Sequence, residues 1–240
     1  MSAARFRLGA WLFGVLAAGL AAGLMALGVW QLQRRAWKHD LVARVEARLH
    51  AAPVPAPTNC RIDDCEPYRR VVAEGVFRHD RETLVQAVTE AGAGFWVVTP
   101  LVGADGRAIL INRGFVPADR RDPASRAAGQ VAGPLRITGL IRSTEPGGAF
   151  LRTNDPAGGR WYSRDSAAIA AARDVTLAAP YFIDADATPN PGGLPLGGLT
   201  VVAFPDNHLV YALTWFALAA MVLGAAAYAL RDAARTRRRA

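Results

Sequence analysis

The sequence predicts a membrane protein in which two transmembrane helices flank one exported, mostly antiparallel β domain with a minor helix, an α+β arrangement. Three observations carry this expectation. Residues 8–33 and 209–230 contain no charged side chain. The stretch between them breaks into short runs rich in Val, Ile, Thr and aromatics. The excess positive charge gathers beside the apolar stretches instead of between them.

The two apolar stretches hold about 26 and about 22 residues, which at about 1.5 Å each reach about 39 Å and about 33 Å, enough to cross a hydrocarbon core of about 30 Å. A cleaved signal peptide has a shorter apolar region, typically about 7 to 15 residues, and here the run continues into Trp30, Arg34, Arg35 and Trp37. Two spans place both termini on one side. The tail after the second span carries five arginines against Asp232, whereas Asp206 precedes that span. The K/R bias therefore predicts N-in, C-in with the central domain outside. Arg5 and Arg7 against Arg34, Arg35 and Lys38 would orient the first span the other way, but their asymmetry is smaller.

A hydrophobic content of 52% excludes a disordered polyelectrolyte. The net charge of +8 invites nucleic acid or anionic lipid, and its location decides between them. The N-terminal tail contributes +2 and the C-terminal tail +4, which leaves +2 for everything between. Tails beside a membrane attract lipid and set topology. No nucleic-acid groove is indicated.

The expected organisation is residues 1–33 as tail and first span, 34–57 as helical extension and spacer, 58–206 as the exported domain, 207–230 as the second span and 231–240 as a basic inner tail. Leu41, Val42, Val45 and Leu49 recur on one helical face, so the first span continues out of the membrane as an amphipathic helix. Pro53, Pro55 and Pro57 end it in an extended spacer. Strands are predicted over 68–77, 83–88, 95–101, 107–112, 135–142, 161–163, 181–184 and 199–204. Asp105-Gly106 marks the clearest hairpin turn. Asp165 is the expected N-cap of a helix over 166–173.

The sequence holds no G-x-S-x-G, H-E-x-x-H or Walker lysine, and no carboxylate pair or nucleophile and base can be matched by spacing. The protein is expected not to be an enzyme. Asn112-Arg113-Gly114 is read as a turn or bulge with Arg113 tied to a backbone carbonyl. For Cys60 and Cys65, a disulfide, two free thiols and a copper or thiol-redox pair all stay open. His39, His50 and His79 lie in hydrophilic settings. His208 differs, because it enters the second span, where an imidazole is costly unless paired, wetted or ligating. Tyr211 and Trp215 follow at i+3 and i+7 on its face. Trp30, Arg34 and Trp37 line one side of the first helix where it leaves the same interface, and Arg34 could pair with haem propionates, with Arg35 or Lys38 assisting. These residues read either as an interfacial belt of histidine, aromatics and arginine or as an axial haem ligand with aromatic walls.

Five segments occur in order along nearly the whole chain: Gly28-Val29-Trp30-Gln31-Leu32-Gln33-Arg34-Arg35-Ala36-Trp37-Lys38; Tyr68-Arg69-Arg70-Val71 with Gly75 and Phe77; Thr99-Pro100-Leu101; Ile111-Asn112-Arg113-Gly114-Phe115-Val116-Pro117; and Asn207-His208-Leu209-Val210-Tyr211-Ala212-Leu213-Thr214-Trp215-Phe216. Together they resemble the Surfeit locus protein 1 family of cytochrome c oxidase assembly factors. The chain has Asp206-Asn207 where the family often has two asparagines. The resemblance implies a bacterial inner-membrane protein with a periplasmic domain that binds haem a as transient cargo and assists its insertion into oxidase subunit I. It also implies haem a synthase as a further partner. On this reading His208 ligates the haem iron, and Tyr211, Trp215, Trp30, Arg34 and Trp37 surround the ring and its propionates. A cofactor-free scaffold holding oxidase subunits is the alternative.

Overall fold

The structure, a computed structural model, describes residues 3–58, 60–61, 65–149, 151–200, 202 and 204–239. It divides into two units, Val45–Val202 and Met1–Arg44 with Ala203–Ala240.

Among the described residues the first unit has nine strands: β1 (Val54–Pro55), β2 (Arg70–Phe77), β3 (Thr83–Thr89), β4 (Gly92–Val102), β5 (Ala108–Pro117), β6 (Pro134–Ser143), β7 (Gly148–Ala149), β8 (Arg152–Thr153) and β9 (Leu177–Ala185). Seven form one sheet in the order β1-β2-β6-β9-β5-β4-β3, while β7 and β8 pair separately. Pairing of Val76 with Val102 and Phe77 with Leu101 joins β2 to β4, so that β2, β6, β9, β5 and β4 close into a barrel-like ring. Every pairing around that ring is antiparallel except β5 with β9.

Two-residue periodicity explains why these runs make a barrel. Ile109, Ile111, Tyr181 and Ile183 point inward with Val71, Phe77, Leu101 and Ile141. Leu110 and Phe182, one position out of phase, point outward under Val85, Val98, Trp161 and Ile169. With both faces covered, β5 is buried over nearly its whole length and reads as a continuous apolar run. Helix α2 (Ser166–Ala172) lies on the outer face, capped by the Asp165 carboxylate, which accepts the Ala168 N–H at 3.1 Å.

Six of the eight predicted strands are present. The stretch 161–163 is not a strand, because Trp161 is a plug: it is 3% exposed and makes only a bridge to Val85. Residues 199, 200, 202 and 204 carry no strand either, since this segment runs over the barrel as a connector; 201 and 203 lie outside the described residues. The strand expected over 107–112 continues to Pro117 because the Asn112-Arg113-Gly114 segment is a bulge within it. The register between β4 and β5 shifts between Trp96 and Val98, and Gly114 adopts φ +129° there. A Cβ on Gly114 would stand 2.1 Å from the Leu196 carbonyl oxygen, so the position requires glycine. Cys60 and Cys65 form a disulfide.

The second unit is a pair of helices, α1 (Ala3–His50) and α3 (His208–Arg239), the first of which runs on into the strand unit. Both are long and apolar enough to cross a membrane, over Leu8–His50 and His208–Thr236. Up to Lys38, the residues of α1 with described exposure that are partly or wholly covered are Ala10, Gly14, Ala17, Ala21, Leu24, Gly28, Gln31, Arg35 and Lys38, alternating by four and three. On α3 they include His208, Ala212, Trp215, Ala219, Val222 and Ala226. This is a coiled-coil seam made of small residues, which let two backbones approach closely. Gly14 faces Leu230 and Gly28 faces Phe216, so the helices are antiparallel. The side chains of Arg5, Arg7, Arg237, Arg238 and Arg239, part of the charge bias on which the predicted orientation rests, lie outside those described.

Candidate functional site

The helix seam changes character near the start of α3. Below it are Gly28 and Phe216; above it the facing side chains are polar. His208 Nδ1 lies 2.8 Å from Gln31 Oε1. One to two turns further along α1, Lys38 donates to the Pro205 carbonyl and His39 Nε2 to Asp206 Oδ2 at 2.7 Å, with Arg35 Nε 3.5 Å from the same carboxylate. The other Asp206 oxygen accepts the His208 backbone N–H at 3.0 Å and so opens the helix. The His39 bond and then the His208 N–H hold the Asp206 carboxyl below the usual carboxylate range, against an opposing effect of burial, with lesser help from the charges of His39 and Arg35.

His208 and Trp215 are half-buried along the seam. Trp30 is 53% exposed, Trp37 48% and Tyr211 56%. Arg34 is exposed and its guanidinium carbon sits 4.0 Å above the Trp37 ring. At about 100° per residue, Trp30, Arg34 and Trp37 share one flank of α1. Because the helices run antiparallel, the flank of α3 bearing Tyr211 is on that same side of the pair, and Phe216 with Gly28 occupies the other. The structure thus gathers an imidazole, exposed aromatic side chains and a guanidinium around one edge of the helix pair. Arg35 and Lys38 are not part of it, being turned to the 205–206 segment.

The sequence reading missed Gln31, His39 and Asp206. Gln31 and Gln33 are the only amide side chains in the uncharged run, and only Gln31 falls in the heptad phase of Gly14, Ala17, Ala21, Leu24 and Gly28. That phase is the signal that could have singled it out.

The strand unit has two buried polar clusters. Arg126 and Glu82 form a bidentate pair whose side chains are 1% and 6% exposed. Beside it Arg113, 2% exposed, donates to the Gly129 carbonyl and to Asn190 Oδ1 at 3.3 Å, with Phe77 under its guanidinium at 4.8 Å. Burial lowers the Arg113 pKa to about 10, Glu82 opposing and Arg126 adding to the effect. His79, read from sequence as part of a hydrophilic turn, is instead held between Val131 O at 2.9 Å and Arg113. On the other side, Asp184 accepts from Asn112 at 2.7 Å, Thr200 at 2.9 Å and Arg164 at 3.2 Å. Both clusters tie the connector that leads to α3 onto the barrel, through Asn190 in the first and Thr200 in the second. Among the described residues no group of three His, Cys, Asp or Glu side chains is placed to hold a metal ion.

The sequence model of the SURF1 family matches residues 18–220. This chain belongs to the SURF1 family. It is 39% identical over 218 residues to Surfeit locus protein 1 of Mus musculus, covering 84% of this chain and 70% of that protein. It is 39% identical over 212 residues to Surfeit locus protein 1 of Homo sapiens, covering 81% and 69%. To the SURF1-like protein of Monosiga brevicollis it is 41% identical over 211 residues, covering 82% and 79%. The stretch matched by the SURF1 model contains the whole barrel, Trp30, Gln31, Arg34 and Trp37 on α1, and His208, Tyr211 and Trp215 on α3.

Proposed function

We propose that this SURF1-family protein is a non-enzymatic assembly factor for haem-copper (cytochrome c) oxidase. It binds haem a at the outer interface of a bacterial inner membrane and assists its insertion into subunit I. The observation that carries this reading is the placement of His208: a half-buried imidazole at the mouth of an apolar helix pair, with Tyr211, Trp30, Trp37 and Arg34 displayed along one side. These residues fit the cargo. A neutral imidazole is an axial ligand for haem iron, aromatic flanks match the macrocycle, and a guanidinium matches a propionate. Trp215 lies on the seam two turns below His208.

On this reading the barrel lies in the periplasm, with both termini and the arginine-rich tail in the cytoplasm against anionic lipid. Subunit I is the recipient, and haem a synthase is the source. A single histidine presented at an edge suits a carrier, which must let its cargo go, better than a closed site with two protein ligands.

The test is the visible spectrum and pyridine haemochrome of the detergent-purified protein, made in cells that synthesise haem a. Haem a should be present in the parent and lost in His208→Ala. A colourless parent that still co-purifies with oxidase would replace the carrier by a scaffold, and unchanged haem in His208→Ala would retire the site.

A further inference from the structure

We propose that Gln31 is a positioning residue that fixes the tautomer of His208, an inference that rests on His208 being the haem ligand. The two side chains meet across the helix seam, Nδ1 to Oε1, at 2.8 Å. A carbonyl oxygen only accepts, so the proton of the neutral imidazole must sit on Nδ1. The lone pair then sits on Nε2, across the ring from Gln31, and among the described residues nothing bonds to it. In water a neutral imidazole favours the opposite tautomer, with the proton on Nε2. Without Gln31 the nitrogen left free to ligate would more often be Nδ1, the one turned toward α1.

The choice of acceptor matters as much as its place. Metal-bound histidines commonly hand their second N–H to a carboxylate, carbonyl or water, which fixes the ring and raises its basicity. A carboxylate does this most strongly. The nearest one, Asp206, is used elsewhere: its oxygens take His39 Nε2 and the His208 backbone N–H. His208 is left with a neutral amide, which orients the ring without making it a strong donor. The partner also belongs to the other helix, so the ligating tautomer exists only while α1 and α3 are in register at this point.

The test uses the whole chain without haem in detergent micelles, with its histidines labelled with 15N and His208 assigned by the signal lost in His208→Gln. Two-bond 1H–15N couplings report the tautomer directly. We expect Nδ1–H in the parent and a shift toward Nε2–H in Gln31→Leu. Titrating haem a into the same proteins should give binding weaker by about 10- to 100-fold in Gln31→Leu. Gln31→Glu should retain binding and lower the reduction potential of the bound haem, which a merely structural glutamine would not do; it also separates loss of the bond from loss of the fold. An Nε2–H parent, or a tautomer indifferent to Gln31→Leu, overturns the proposal whatever His208 does. The expected tautomers with haem binding unaffected by His208→Ala would instead overturn the ligand reading, and with it the purpose assigned to Gln31.

Discussion

Replacing Glu82 by Gln should destabilise the strand unit severely, and the structure sets the size. Glu82 accepts two hydrogen bonds from Arg126, one at 3.0 Å, and both side chains are almost wholly removed from water. Arg126 keeps the Arg120 and Arg121 carbonyls at 3.2 and 3.4 Å but no carboxylate. Arg113, buried nearby and already repelled by Arg126, loses the charge that offsets the repulsion. Breaking a buried ion pair by removing one partner costs about 3–5 kcal/mol. In a unit of about 160 residues, where 1 kcal/mol moves Tm by about 2–4 °C, Tm should fall by about 6–20 °C. The assay is thermal unfolding in detergent followed by near-ultraviolet circular dichroism, to which the buried Trp161 contributes. Glu82→Leu with Arg126→Leu should recover most of the loss, since an apolar pair has no desolvation debt. A Tm for Glu82→Gln within about 2 °C of the parent would refute the reasoning.

Two further predictions concern the helix pair. Gly28→Val should separate the helices near His208, since even a Cβ there would stand 2.2 Å from the Phe216 ring; Phe216→Ala in the same chain should restore the pairing, and a cross-link between cysteines placed at Gly14 and Leu230 reads both. Asp206→Asn should make the helix pair easier to melt at neutral pH but not in acid. The Asp206 pKa is lowered from the ordinary 3.8, so its contribution is present above that value and is lost as pH falls through the lowered one. Melting curves of parent and variant between pH 7 and pH 3 should converge, and a constant gap would contradict the pairing with His39.

The strands were legible wherever alternation and turn chemistry acted together. Asp105-Gly106 marked the turn between β4 and β5 because a positive φ was needed there, and Gly106 has φ +76°. Trp161 misled because an aromatic in a short β-branched run scores as strand, yet a side chain that plugs a core needs no ladder. The stretch 199–204 misled for the opposite reason: Leu199, Val202 and Phe204 are half-buried in a segment whose described residues pair with no strand. Within the apolar spans, hydropathy gave length but no phase, since a lipid-facing Leu and a seam-facing Leu look alike. His208 stood out as an ionisable group in an apolar helix, and its partner did not, because the contact joins residues 177 positions apart.

The distribution of charge connects the two units to one division of labour. Apart from Arg113, which is held by carbonyl and amide oxygens, the buried charges described in the strand unit are answered within it: Glu82 by Arg126, Asp184 by Arg164 and Arg142, Glu145 by Arg164. Residues 45–202 carry as many acidic as basic side chains, so the whole net +8 belongs to the helix pair and its tails. A neutral, internally paired barrel has no long-range field with which to attract an anionic ligand. The helix pair does, and at its mouth the cations are divided: Arg35, Lys38 and His39 are spent on the 205–206 segment, while Arg34 is left on the aromatic flank. The Arg34 guanidinium, stacked on Trp37, and the His208 imidazole on the same edge can together orient a ligand with an anionic edge and a soft, coordinating centre. They cannot hold that ligand as a ring of cations would, and under the proposed function weak holding is what passing a cargo onward demands.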